Sequence, residues 1–306
     1  MIVIARNYGQ LGNRLFLYAH LMGAACEYGT SVANPCFAEY AHLFPRTASD
    51  LWCRFPATAR EANSSSPISS SPISSSPSLR RRQWLSQSVY LGTRALKTVG
   101  LSRYPFHVVR LRGETECDLE SDAFAKLARQ GRAVLVQGWL FRSERLLRKH
   151  AVAIREHFQI LPEHRDNVDQ AISTIRGHGD VVVGVHIRHG DYATHLGGKY
   201  FYSVSDYAQA MRSVVGQFPG KRVVFMVCSN AEMKGHEFEG LNVHFGPGHI
   251  VEDIYSFAEC DLLIGPPSTY TKWASFYGDV PLHVMEDAKQ PIDVAACISN
   301  NLKNAA

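Results

Sequence analysis

The segment His186-Ile187-Arg188-His189-Gly190-Asp191-Tyr192 gathers imidazoles, a guanidinium, a carboxylate and a phenol directly after the apolar run Val181-Val182-Val183-Gly184-Val185. An arginine at such a strand end offers a fixed fork of donors that matches a phosphate or diphosphate, which a lysine cannot reproduce. Arg188 is therefore the candidate diphosphate clamp. The alternative is that Arg188 and Asp191 pair with each other across the turn while His186 is a satisfied core histidine. A second group lies downstream. Ser268 and Thr269 open a helix, where backbone N–H groups, hydroxyls and the helix dipole favour a phosphate, or where the same hydroxyls simply cap. Asp253, near the start of the preceding helix, is either an acceptor for ligand N–H groups or another cap. In the amino-terminal part, Gly9, Gly12 and Asn13 form a turn whose glycines let backbone approach a ligand closely. That turn has neither the G-x-G-x-x-G of a dinucleotide site nor the G-K-[ST] of a P-loop.

These residues need elements to hold them. Ile2-Val3-Ile4-Ala5 reads as a strand that runs through the glycine turn into a helix from Asn13 to Tyr28. Ala133 to Gln137 reads as a strand, followed by a helix from Ser143 to about Phe158. The second half alternates: strand 181–187, helix 204–215, strand 222–228, short strand 241–245, helix 252–259, strand 262–264, helix 269–277 and strand 282–285. Such alternation predicts a parallel sheet with helices on both faces, and ligands outside the carboxyl ends of its strands.

Between Asn63 and Ser78 the chain is almost entirely Ser, Pro and Ile, with Ser-Pro-Ile-Ser-Ser occurring twice. Such a stretch buries too little apolar surface to order itself, so a disordered loop is expected over about 63–78. Arg80-Arg81-Arg82 and Trp84 follow it. They read as the solvated start of a helix, with contact to an anionic membrane surface or an acidic partner as the open alternative.

At 306 residues and 45% hydrophobic content the chain can bury a core and splits into an amino-terminal domain, 1–165, and a carboxy-terminal domain, 166–306. A net charge of +4 is small for this length and suits an anionic small molecule; without an aromatic-interleaved basic patch, nucleic acid is not expected. The seven cysteines are odd in number and never at C-x-x-C spacing, which argues against a zinc site or a disulfide framework and for a reducing compartment. With no signal-peptide pattern and no long apolar run, a cytoplasmic location is expected, peripheral to a membrane at most.

Three segments together resemble the fucosyltransferases, in particular the α1,2 enzymes of glycosyltransferase family 11 and more distantly the α1,6 enzymes. His186 to Tyr192 is similar to the H-x-R-x-G-D-Y motif. Gly9-Gln10-Leu11-Gly12-Asn13-Arg14-Leu15-Phe16-Leu17-Tyr18-Ala19 resembles the G-x-L-G-N-Q-x-F-x-Y-A opening. Asp253 to Asp261, leading through a strand into Ser268-Thr269-Tyr270-Thr271-Lys272-Trp273-Ala274, resembles the D-x-x-x-x-x-x-C-D and S-S-x-S-W-W-A segments. Residues from about Cys36 to Arg132 match nothing, and acceptor recognition is expected there.

The resemblance implies a GT-B-like α/β fold, with two Rossmann-like domains facing a cleft, the carboxy-terminal one binding a GDP-sugar. It implies inverting transfer of L-fucose from GDP-fucose to a hydroxyl of a glycan, α1,2 to galactose, with no metal and no other cofactor. Arg188 would stabilise charge on the departing diphosphate with Ser268, Thr269 and the helix dipole. Asp253 would meet the guanine, and Gly9, Gly12 and Asn13 would face the donor. His186, Arg188, Asp191 and His195 are the catalytic candidates, with Asp191 and His195 nearest for a general base; the alternatives are a turn partner for Asp191 and an exposed loop histidine for His195. His189 stands where an arginine is usual, and Pro266, Pro267 and Lys272 also depart from the pattern. A transferase for another GDP-sugar or linkage, or a non-catalytic glycan- or nucleotide-binding relative, are the alternatives.

Overall fold

The structure, a computed structural model, describes residues 1–57, 76–101, 106–233 and 235–305. It divides into two compact units, Met1–Leu161 and Pro162–Ala306.

In the amino-terminal unit β1 (Ile2–Ile4) leads into α1 (Leu11–Tyr28), and the order continues β2 (Val32–Ala33), α2 (Pro45–Ala48), β3 (Arg54–Phe55) and α3 (Leu79–Thr98). Next come β4 (His107–Arg110), β5 (Cys117–Asp118), α4 (Asp122–Arg129), β6 (Val134–Gln137), β7 (Phe141–Arg142), α5 (Glu144–Lys149) and α6 (Ala151–His157). The main sheet has the order β3-β2-β1-β6-β4, parallel except for β3 against β2. α1 buries nearly its whole length, and its Tyr18 meets Phe37, His157 and Phe158 edge to face in an aromatic core.

In the carboxy-terminal unit the order is α7 (Pro162–Arg176), β8 (Val181–Ile187), α8 (Val204–Val215), β9 (Val223–Ser229), β10 (Val243–Phe245), α9 (Ile250–Phe257), β11 (Leu262–Gly265), α10 (Thr269–Gly278), β12 (Leu282–Val284) and α11 (Val294–Ala305). The strands form one wholly parallel sheet, β10-β9-β8-β11-β12. Alternation along β8 sends Val183, Val185 and Ile187 to a core with Tyr207, Met211 and Val214 of α8. Gly184 faces the opposite way, where a Cβ would fall 2.6 Å from Phe257 and 2.7 Å from Leu263. His186 follows on that second face, beside Phe257.

The structure departs from the sequence reading in several places. The helix expected over 143–158 is two, α5 and α6, broken at His150, which takes φ −110 and ψ 20 without any proline or glycine to announce it. α7 is absent from the sequence reading because only Val168, Ile172 and Ile175 of its fifteen residues are buried, on an otherwise charged surface. α11 was not foreseen either. Arg82, expected on a solvated helix start, is buried: its guanidinium donates to the carbonyls of Thr47, Ala48 and Asp50 at 3.0, 2.6 and 2.8 Å, tying α3 to the end of α2. Of the expected loop over 63–78, residues 63–75 lie outside those described; Ser78 is the residue before α3.

Candidate active site

The carboxy-terminal sheet runs outward in both directions from β8, so the strand order reverses between β8 and β11. At such a reversal the connections leave on opposite faces and a crevice opens beyond the strand ends, where open α/β sheets take their ligands. His186 to Tyr192 leave β8 at that point, and Ser268 and Thr269 leave β11.

Arg188 grips Asp191 with both arms, Nε to Oδ1 at 3.1 Å and Nη2 to Oδ2 at 3.0 Å, and its guanidinium lies 5.1 Å over the ring of Tyr192. The internal pair weighed from the sequence therefore exists. It does not exhaust the fork, because Nη1 has no hydrogen-bond partner among the described residues. The Arg188 hydrogen bonds hold the Asp191 carboxyl below the usual carboxylate range, which makes Asp191 a poorer base than an ordinary aspartate. Asn230, just past β9, latches the turn: it accepts the His189 N–H at 2.8 Å and its amide reaches Asp191 Oδ1 at 3.4 Å. Gly190 has φ +47, and a Cβ there would fall 2.7 Å from the Asn230 amide nitrogen, so the latch requires glycine.

His186 is buried and burial lowers its pKa to about 3, so its ring is neutral at physiological pH. It is not a satisfied core histidine, since Nδ1 has no partner among the described residues. Its ring packs 5.0 Å from that of Tyr270, whose hydroxyl donates to Ile250 O at 2.7 Å. His189, in the place of the usual arginine, is bound inward, with Nε2 at 2.9 Å from Tyr202 O and its ring against Phe201. His195 is exposed, its ring 5.3 Å from Tyr192 at the edge of the turn.

Asp253 lies in α9, but the cap of that helix is His249, whose Nδ1 accepts from Val251 N–H, so the capping alternative for Asp253 falls. Its Oδ1 instead accepts from Gly248 N–H at 2.8 Å, and desolvation raises its pKa to about 6. Ser268 does cap α10, accepting from Tyr270 N–H at 3.2 Å, and Thr269 is the first residue of that helix. The Tyr192 hydroxyl donates to Pro267 O at 2.8 Å, clipping the Arg188 turn to the loop before Ser268. His186 thus packs on Tyr270, whose hydroxyl also feels the charges of Asp253 and Arg188, and the Tyr192 clip brings the Ser268 segment to the Arg188 turn.

Tyr192, Asn230 and Tyr270 escaped the sequence reading as site residues. The first and last sit inside quoted motifs, and Asn230 follows a strand in the predicted sheet, which was the available signal. Gly9, Gly12 and Asn13 belong to the amino-terminal unit. Gly9 has φ +58 and a Cβ there would lie 2.0 Å from the Asn13 amide, while Gly12 is buried in the first turn of α1.

Residues 149–280 match the sequence profile of Glycosyl transferase family 11, a span holding the Arg188 turn and the Asp253 and Ser268 segments but not the Gly9 turn. No curated protein matches the chain in sequence. Among solved structures, the fucosyltransferase NodZ from Bradyrhizobium is similar at TM-score 0.53 and 17% identity, over 95% of this chain and 96% of that one. Arabidopsis thaliana FUT1 is similar at TM-score 0.58 and 10% identity, over 96% of this chain and 71% of that one. POFUT1 in complex with GDP-fucose aligns at TM-score 0.50 and 11% identity, over 91% of this chain and 94% of that one. At these identities the likeness is one of fold, α/β and GT-B-like, as the motifs implied. Over residues 149–280, then, this chain is similar to glycosyl transferase family 11, the family that its motifs resemble.

Proposed function

We propose that this chain is a fucosyltransferase that moves L-fucose from GDP-fucose to a glycan hydroxyl, with inversion and without metal, forming an α1,2 linkage to galactose. The observation that carries this reading is the placement of Arg188 at the strand-order reversal, inside the span matching a glycosyltransferase family. The name of one structural neighbour records co-crystallisation with GDP and that of another a complex with GDP-fucose, which supports the donor.

The geometry supports the following roles. Arg188, held in plane by Asp191 and the ring of Tyr192, points its remaining donor at the diphosphate and stabilises the charge that grows there as the glycosidic bond breaks. The start of α10 supplies N–H groups and a favourable dipole for the same charge. Asp253, once ionised, accepts from the guanine N1 and N2 hydrogens. Asp191 positions Arg188, and His195, exposed and close to Tyr192, is the stronger candidate for the base that takes the acceptor proton. His186 stays neutral and packs the wall of the site. Exposed Arg80, Arg81 and Trp84 on α3 fit a protein that rests against an anionic membrane while it works, although no described helix is long and apolar enough to cross one.

The test is turnover of GDP-fucose in EDTA by the wild type and Arg188→Ala on galactose-terminated acceptors, with the linkage read from the product. Metal-independent transfer that falls by about 10²–10³-fold in the variant is expected. Wild-type binding of another GDP-sugar in preference to GDP-fucose would overturn the donor, an α1,6 product the linkage, and failure to bind any nucleotide sugar the function.

A further inference from the structure

The amino-terminal sheet has its own reversal, with β1 flanked by β2 on one side and β6 on the other. The chain leaving β1, Arg6-Asn7-Tyr8-Gly9, therefore lies where a sheet of this kind offers a ligand site. A cavity of about 460 Å³ opens there, a volume within the range of small-molecule sites. Arg6 and Asn7 line it from the segment after β1, Arg14 from α1, and Gln83, Gln87 and Tyr90 from α3. The three α3 residues are spaced four and three apart, so they share one helix face. α3 turns almost none of its length to a core, burying only Arg82 and Thr93, and presents this polar face to the cavity instead.

The lining has the chemistry of a sugar site. Planar amide and guanidinium groups can donate and accept in pairs, which suits neighbouring hydroxyls on a pyranose ring, and a tyrosine ring suits its C–H face. Nothing in the set is the apolar slot that a lipid tail would need.

The charges are unequal. Glu39, also on the wall, is paired to Arg14 at 2.7 Å. Arg6 has no carboxylate partner among the described residues; its guanidinium is held 5.1 Å over the ring of Tyr8 and 5.8 Å over that of Tyr90. Rings that hold a guanidinium without neutralising it leave its fork open to an anion. Arg110, at the end of β4, adds positive potential near Tyr8.

We propose that this cavity is the acceptor subsite and that it selects a glycan bearing a carboxylate sugar, a uronate, whose carboxylate pairs with Arg6 while its hydroxyls meet Asn7, Gln83 and Gln87. The term acceptor rests on the fucosyltransferase reading; the binding of an acidic glycan does not.

The test measures binding, with no turnover required, of labelled galactosyl-glucuronate and of neutral galactosyl-glucose to the full chain. The wild type is expected to hold the acidic disaccharide about tenfold more tightly, with the preference shrinking as salt is added. Arg6→Gln is expected to erase the preference and leave GDP binding unchanged, and Arg6→Lys to restore part of it. Equal binding of the two disaccharides by wild type, a preference that survives Arg6→Gln, or an equal loss of GDP binding in that variant would each overturn the proposal. The two readings fail separately. Acidic-disaccharide binding through Arg6 without fucose transfer to any acceptor would sink the transferase and spare the cavity. Transfer to neutral acceptors with no acidic preference in binding would do the reverse.

Discussion

Asp253 shows how one side chain can be placed against its own comfort. It is largely taken out of water, it accepts from the Gly248 N–H at 2.8 Å and meets the buried Cys228 thiol, and its pKa rises to about 6 from 3.8. A carboxyl whose pKa is higher folded than unfolded binds more protons in the fold between those values, so it subtracts stability as pH rises from about 4 to about 6. Above that range it is an ionised, poorly solvated acceptor, which is what a pair of guanine N–H donors would relieve. Asp253→Asn is therefore expected to keep or raise the melting temperature at pH 8 while weakening GDP binding by about tenfold or more, since charge-assisted hydrogen bonds are the stronger kind. Wild-type GDP affinity is expected to fall as pH drops through about 6, and that of the variant is not. Calorimetric titration across pH reads both. A lower melting temperature with unchanged GDP affinity would instead make Asp253 a structural residue.

At the scale of elements, the parts legible in the sequence were those whose chemistry and periodicity agree. β8 was read with its observed bounds because its valines are followed at once by a polar motif, and α8 because Tyr207, Met211 and Val214 recur at helical spacing. α3 was barely legible, since its purpose is to carry a polar face and a buried guanidinium rather than an apolar stripe. Arg82 looked like one of three surface arginines, yet it closes the Thr47 and Ala48 carbonyls at the end of α2. Only the turn over Thr47–Asp50, packed against α3 from far along the chain, reveals this. Arg82→Met keeps the length of the side chain and leaves those buried carbonyls unpaired, so a loss of about 2–4 kcal/mol is expected in urea unfolding. Arg80→Met, on the exposed side of the same turn, is expected to change stability by less than about 0.5 kcal/mol.

Across the whole molecule, buried neutral histidines recur in both units. His20 and His157 in the amino-terminal unit and His186 in the carboxy-terminal unit each have a pKa lowered by burial to about 3. No spacing rule marks a histidine as buried, and the sequence reading singled out His186 alone, because a motif held it. In the unfolded chain these groups take up a proton near pH 6.5, whereas in the fold they resist it, so the unfolded state binds more protons below that pH. Stability is therefore lost as pH falls from about 6.5 toward the folded values, opposite in sign to the contribution of Asp253. His157 allows the cleanest test. Neither ring nitrogen has a hydrogen-bond partner among the described residues, and the ring sits edge-on to Tyr18, Phe55 and Phe158, an environment made for a phenyl group. His157→Phe is expected to match the wild type near pH 8, where both side chains are uncharged, and to unfold at a lower pH on acid titration followed by near-UV circular dichroism. An acid midpoint that does not move would show that protonation of His157 does not drive acid unfolding, and would leave the carboxylates as its source.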